Sequence, residues 1–210
     1  MTGTPVDLAT WDRAQQFQFF RTFERPHYAT TVRMDVTALM AERKTLGLSP
    51  FRHTVWAIGV GLHAVPELCM RFRGETVTQY DRLQLSATIP LDNGDFRYSY
   101  FPFDADRASF DKTAASMIEE LQKGGELNAN DGTIEDVAYL SCLPWLDYTA
   151  LDNAFPNAQD CIPRISWGKI VPKGDGYDMA MTLQIHHALA DGLHVARFFE
   201  ATEHALARFA

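Results

Sequence analysis

The sequence predicts an α+β fold, a large mixed or antiparallel sheet flanked by helices, on three observations. Period-two alternation recurs along the chain, most clearly at 28–36, 76–80, 83–89, 137–145, 162–171 and 179–185. Apolar or amphipathic helical stretches separate these segments, at 51–64, at 110–121 and from Asp191 onward. No repeat, linker or low-complexity stretch interrupts the 210 residues, so residues 1–210 are expected to form a single domain.

Composition narrows the function classes. Hydrophobic residues make up 46% of the chain and aromatic residues 12%, enough for a large packed core. The net charge is −8 and no basic run occurs, which argues against a nucleic-acid partner. Cys69, Cys142 and Cys161 are too few and too scattered for a disulfide framework or a zinc site, so no metal is expected. The first residues have neither a basic n-region nor an apolar h-region. The apolar stretch from Val55 to Val65 is broken by His63 and too short to span a bilayer. A soluble cytoplasmic protein that avoids membranes is the expectation.

Each element has its own signal. Residues 1–10 read as an irregular lead-in, and Phe17, Phe20 and Arg21 occupy neighbouring positions of a short helix. Tyr28 to Val36 is β-branched and alternating, and Asp35 to Thr37 then caps a helix that Leu46-Gly47 stops. Ser49-Pro50 starts the most apolar helix, which ends at Pro66 and is apolar nearly all round, hence buried. His53 and His63 on it are expected as core or surface histidines rather than ligands. Leu68 to Phe72 and Thr76 to Tyr80 form a hairpin, and Leu83 to Ile89 and Phe96 to Pro102 are further strands. Phe110, Ala114, Met117, Ile118 and Leu121 make one helical stripe, ended by Gly124-Gly125, with a polar loop at 126–133. Val137 to Trp145 carries a strand that ends before Pro144, 146–156 is irregular, and Ile162 to Val171 alternates with Arg164, Ser166 and Gly168 on one face. Pro172 to Gly176 turns the chain into a strand ending at His186-His187, and Val195, Phe198, Phe199, Ala205 and Phe209 mark the closing helix.

That strand end is where the chemistry is expected. A histidine where a strand meets a loop, with Asp191 opening the next helix, is well placed for a general base. His186 and His187 point to opposite sides of an extended strand, and the residues alone do not choose between them.

The wording His186-His187-x-x-x-Asp191-Gly192, continued by His194-Val195-Ala196-Arg197-Phe198, resembles the active-site signature of the chloramphenicol acetyltransferases. Its shorter form is shared with CoA-dependent acyltransferases in general. The resemblance extends from about Trp11 to Arg208. It implies that fold, closed as a homotrimer with active sites between subunits, and acetyl-CoA as co-substrate. It implies His187 as the base and Asp191 as the partner of an arginine. The family's opening Trp-x-Arg and Phe-x-Phe-Tyr-Arg is similar to Trp11-Asp12-Arg13 and Phe17-Gln18-Phe19-Phe20-Arg21, and on that match the arginine is Arg21. Ser141-Cys142-Leu143-Pro144-Trp145 is similar to the family's Ser-Ala-Leu-Pro-Trp, which makes Ser141 the expected oxyanion donor. Ser166 and Lys169 correspond to a CoA-channel hydroxyl and a lysine near its phosphates. Tyr28 and Leu127 correspond to substrate-pocket positions. Ala190, Leu193 and Leu127 stand where cysteine, phenylalanine and phenylalanine are common. These departures leave the acetyl-transfer machinery in place. Chloramphenicol is the first acceptor implied, with drug resistance as its consequence. Another small alcohol or thiol, or a catalytically silent binding homologue, are the alternatives.

Overall fold

The structure is a computed structural model and describes residues 3–208. Its frame is an eight-stranded mixed sheet. The central strand, β11, is Gly176–His186. On one side β2, His27–Asp35, pairs with it antiparallel over nine residues, from Asp35 opposite Asp178 to His27 opposite His186. On its other side lie β9, Arg164–Trp167, and β10, Val171–Lys173. β8, Val137–Cys142, runs parallel both to β9 and to β5, Gln84–Pro90. β6, Phe96–Tyr98, and β7, Phe101–Pro102, complete the far edge against β5.

Alternation along β11 separates two environments. Met181, Leu183 and Ile185 enter the main core, shared with buried residues of α3, Pro50–His63, and α5, Gly192–Ala207. Thr182, Gln184 and His186 face the other way and are nonetheless at most 2% exposed. The irregular segment after β8 covers them: the Asn153 backbone N–H donates to Gln184 Oε1 at 2.7 Å, and Tyr148 Oη lies 3.3 Å from Thr182 Oγ1. Burying this polar face is tolerable because its side chains find partners.

Helix α3 is buried at eight of its fourteen positions, as its all-round apolarity requires, and Ser49 caps it by accepting from the Arg52 N–H. It crosses α5 closely enough that a Cβ on Gly61 would sit 2.9 Å from the Phe198 carbonyl oxygen. Both nitrogens of His63 are used within the fold, on the Gly59 carbonyl and the Leu83 N–H. Helix α1, Ala14–Phe20, α2, Thr37–Leu46, and α4, Arg107–Lys123, agree with the sequence pattern. α4 starts three residues before the apolar stripe because Asp106 caps it through the Ser109 N–H.

Two expectations are corrected. The lead-in is not wholly irregular: Gly3–Pro5 forms β1, which pairs with β4, Thr76–Tyr80, beside β3, Met70–Arg73. The strand read over 162–171 is broken after Trp167. Gly168 is approached so closely by the Leu146 carbonyl that a Cβ would lie 2.6 Å from it, and the Lys169 N–H donates to that same carbonyl instead of a sheet neighbour. The strand from Val137 ends at Cys142, just ahead of Pro144 as expected, and the Leu143 N–H reaches the Trp167 carbonyl. Phe209, the last apolar position of the closing helix pattern, lies outside the described residues. Among the described residues no helix is long and apolar enough to cross a membrane.

Candidate active site

β11 ends at His186, and the two adjacent histidines have different surroundings. His186 is 2% exposed. The Ala188 N–H donates to its Nδ1 at 3.1 Å, so the ring proton sits on Nε2 and is donated to the Ala158 carbonyl at 3.1 Å. With both nitrogens committed, His186 has no lone pair for a substrate. Burial, followed by the neighbouring His27, lowers its pKa to about 4. His187 is half-buried, and its Nδ1 is enclosed without a hydrogen-bond partner among the described residues. Its ring stacks on Phe20, with centroids 3.7 Å apart and planes at 7°, and tilts against Tyr28 at 4.8 Å. Aromatic walls rather than backbone hydrogen bonds fix its orientation.

The backbone at His187 is pinned twice: its N–H donates to the Pro26 carbonyl at 2.9 Å, and its carbonyl accepts from Arg13 Nη2 at 2.9 Å. The same guanidinium donates through Nη1 to Asp191 Oδ2 at 2.5 Å. Asp191 caps α5 by accepting from the Leu193 N–H, and His194 Nδ1 lies 2.9 Å from Asp191 Oδ1 and 3.2 Å from the Asp191 backbone nitrogen. On the far side of His194, Nε2 stands 3.6 Å from Glu67 Oε1. Partial burial pushes the Asp191 carboxyl up, but the bonds from Arg13 and His194 outweigh it and hold it at about 2. Asp191 is therefore an anion committed to the loop, with no proton to relay.

The arginine assignment is corrected. Arg21 does not reach Asp191. It follows α1 at its C-terminal end, roughly 12 Å of helix rise beyond Arg13, where it packs over Phe17 and Phe72 and pairs with Glu75 at 2.8 Å. Arg13 was legible only as the arginine of Trp11-Asp12-Arg13, and His194 and Glu67 carried no signal of their contact with Asp191.

Ser141 stands elsewhere. It lies on β8 directly beside Ser166 of β9, which in turn is opposite Thr182 of β11. Ser141 and Ser166 line a cavity of about 360 Å³, together with Tyr139, Arg164, Asn130 and Asn153. His187 lies five residues beyond Thr182 along β11 and two strands across. At about 3.4 Å per residue and about 4.8 Å per strand, its Cα is roughly 19 Å from that of Ser141. One chain does not bring the two together. Lys169 is exposed in the link between β9 and β10, close in sequence to Ser166. Tyr28 is beside His187, its phenol raised to about 12 by burial and then by Asp191. Leu127 is 51% exposed on the loop after α4, and its carbonyl accepts from the N–H of Tyr98, which lines the Ser141 cavity.

The family described as "CAT: Chloramphenicol acetyltransferase" matches residues 1–203. A chloramphenicol acetyltransferase of Streptomyces acrimycini is 27% identical, the match covering 93% of this chain and 90% of that protein. Chloramphenicol acetyltransferase 3 of Escherichia coli is 26% identical over 94% of each chain. Among solved structures, a chloramphenicol acetyltransferase superposes with a TM-score of 0.88 at 24% identity, covering 98% of this chain and 100% of that one. The dihydrolipoamide acetyltransferase (E2p) of Azotobacter vinelandii shares the fold more distantly, at a TM-score of 0.65 and 17% identity, over 92% of this chain and 86% of that one.

Proposed function

The chain belongs to the chloramphenicol acetyltransferase family, and from that premise we propose that it moves an acetyl group from acetyl-CoA to a hydroxyl of chloramphenicol, conferring resistance to the drug. The observation that carries the mechanism is the contrast between the two histidines: His186 has both nitrogens bonded to the backbone, whereas His187 is held by ring contacts and by its own pinned backbone. His187 is the general base. It takes the proton of the acceptor hydroxyl as that oxygen attacks the thioester carbonyl carbon. The carbonyl electron pair moves onto oxygen, and the Ser141 hydroxyl donates a hydrogen bond to this oxyanion, worth about 2.7–4 kcal/mol of barrier. Collapse restores the carbonyl and breaks the C–S bond. The departing CoA thiolate takes the proton back from His187.

Ser141 and His187 are too far apart to act within one chain, so the working site is completed between copies: His187 of one subunit meets Ser141 of the next, in a homotrimer. Arg13 and Asp191 hold the His187 loop in shape. Ser166, beside Ser141, lines the route of the CoA arm, and Lys169 meets its phosphates. Tyr28 and Leu127 contribute to the acceptor pocket. Residues 1–210 act as a single domain, in the cytoplasm.

The test is acetyl-CoA consumption, followed by thiol release, with and without chloramphenicol, on wild type and His187→Ala. Drug-dependent turnover lost in the variant supports the reading. Wild type that binds CoA but ignores chloramphenicol removes that acceptor and directs the search to other alcohols and thiols. If no acceptor is turned over, a silent binding homologue remains.

A further inference from the structure

The cavity beside Ser141 is unusually polar for a small-molecule pocket, whose walls are ordinarily apolar with a few placed polar groups. Its polar groups are arranged in register. On β8 and β9, Ser141 is directly beside Ser166, and two residues back Tyr139 is directly beside Arg164. Period two puts all four on the same face of the sheet, so the second pair stands about 7 Å from the first along the strands.

Both members of the second pair are held ready with donors to spare. Asn130 Nδ2 donates to the Tyr139 phenol oxygen at 2.8 Å and to the Ile134 carbonyl at 2.8 Å, while Asn130 Oδ1 accepts from the Gly132 and Ile134 N–H groups. The phenol therefore accepts, and its own proton has no acceptor among the described residues. Arg164 uses three N–H bonds, two to Asp160 and one to the Ile162 carbonyl, and lies over the Phe155 ring at 3.8 Å. A guanidinium has five N–H donors, so two remain. Asp160 neutralises its charge, so the pair suits an uncharged oxygen better than an anion.

We propose that Tyr139 and Arg164 are specificity-determining residues: they bind a second, uncharged hydrogen-bonding oxygen of the acceptor, about 7 Å along the strands from Ser141, which holds the oxyanion formed when the acceptor hydroxyl attacks. The substrate class is a compact alcohol with a hydroxyl or carbonyl at its far end, and a simple apolar alcohol is a poor acceptor. The inference rests on the assignment of Ser141 to the transfer site and adds what the neighbouring strand positions do.

The test uses a matched pair, 2-(4-hydroxyphenyl)ethanol and 2-phenylethanol, which differ by one distal hydroxyl, with chloramphenicol in parallel. Acetyl-CoA turnover is measured for wild type, Tyr139→Phe and Arg164→Lys. The lysine keeps a charge for Asp160 and loses the planar fork. The hydroxylated member is expected to have a kcat/KM about ten- to a hundredfold higher in wild type, mainly through KM, and that ratio to fall below about threefold in Tyr139→Phe. Equal use of the pair by wild type, or a preference that survives Tyr139→Phe, overturns the proposal even where chloramphenicol is acetylated. Preference for the hydroxylated alcohol without chloramphenicol turnover sustains it and removes the drug as acceptor. Should none be turned over, the same comparison is read from equilibrium binding by calorimetry. A Tyr139-dependent preference then sustains the inference while the transfer reading fails, and no preference overturns it.

Discussion

Arg13 Nη1 donates to Asp191 Oδ2 at 2.5 Å, joining the turn before α1 to the first residue of the α5 cap. With Nη2 on the His187 carbonyl, one guanidinium spans both ends of the loop that carries the candidate base. Replacing Arg13 by alanine removes both bonds at once. Arg13→Ala is expected to lose about 1.5–3 kcal/mol of stability, the range for hydrogen bonds to charged groups. Arg21→Ala is expected to lose about 1 kcal/mol, since Glu75 is exposed and the contact is chiefly the packing over Phe17 and Phe72. Urea unfolding of the two variants checks the order. Turnover should fall steeply only for Arg13→Ala.

Asp191 carries a pH signature. Its folded pKa is depressed to about 2, so its contribution to stability is present above the ordinary carboxylate value, near 4, and is lost as pH falls from there toward 2. Asp191→Asn should flatten that part of the acid-unfolding curve, measured by urea midpoints between pH 4 and pH 2. Unchanged pH dependence in the variant would show that Arg13 and His194 do not hold the carboxylate.

His186 titrates in the opposite sense to a paired histidine. Its folded pKa lies near 4, below the unfolded value of about 6.5. In that interval the unfolded chain takes up a proton that the folded one refuses, so stability is full above pH 6.5 and declines down to pH 4. His186→Gln should make this decline shallower. The variant should also be less stable at neutral pH, because the Ala188 and Ala158 backbone groups lose a fitted partner.

Much of this arrangement was legible from the chain because period and side-chain chemistry agree locally. The all-round apolarity of α3 meant burial, and the alternation of β11 placed His186 and His187 on opposite faces. Breaks caused by long-range approach were not legible: nothing in Ile162 to Val171 announces that the Leu146 carbonyl will press on Gly168. Nor does local pattern separate Arg13 from Arg21, since both lie in aromatic surroundings and only the long-range approach of the Asp191 N-cap to Arg13 selects one. The commitment of His186 depends on Ala158, a residue of the irregular segment whose path no periodicity specifies.

The roughly 19 Å that separate Ser141 from His187 along and across the sheet make the central claim testable without a ligand-bound structure. Chains carrying His187→Ala and chains carrying Ser141→Ala are denatured together, refolded as a mixture, and assayed for acetyl-CoA turnover with chloramphenicol. Each parent alone should be at least about a hundredfold impaired. If the site lies between copies, mixed trimers rebuild intact sites from one chain's histidine and the next chain's serine, and roughly a quarter of wild-type activity is expected from statistical assembly. Activity no higher than the average of the two parents, in a mixture shown by mass spectrometry to contain mixed trimers, would contradict a site shared between subunits.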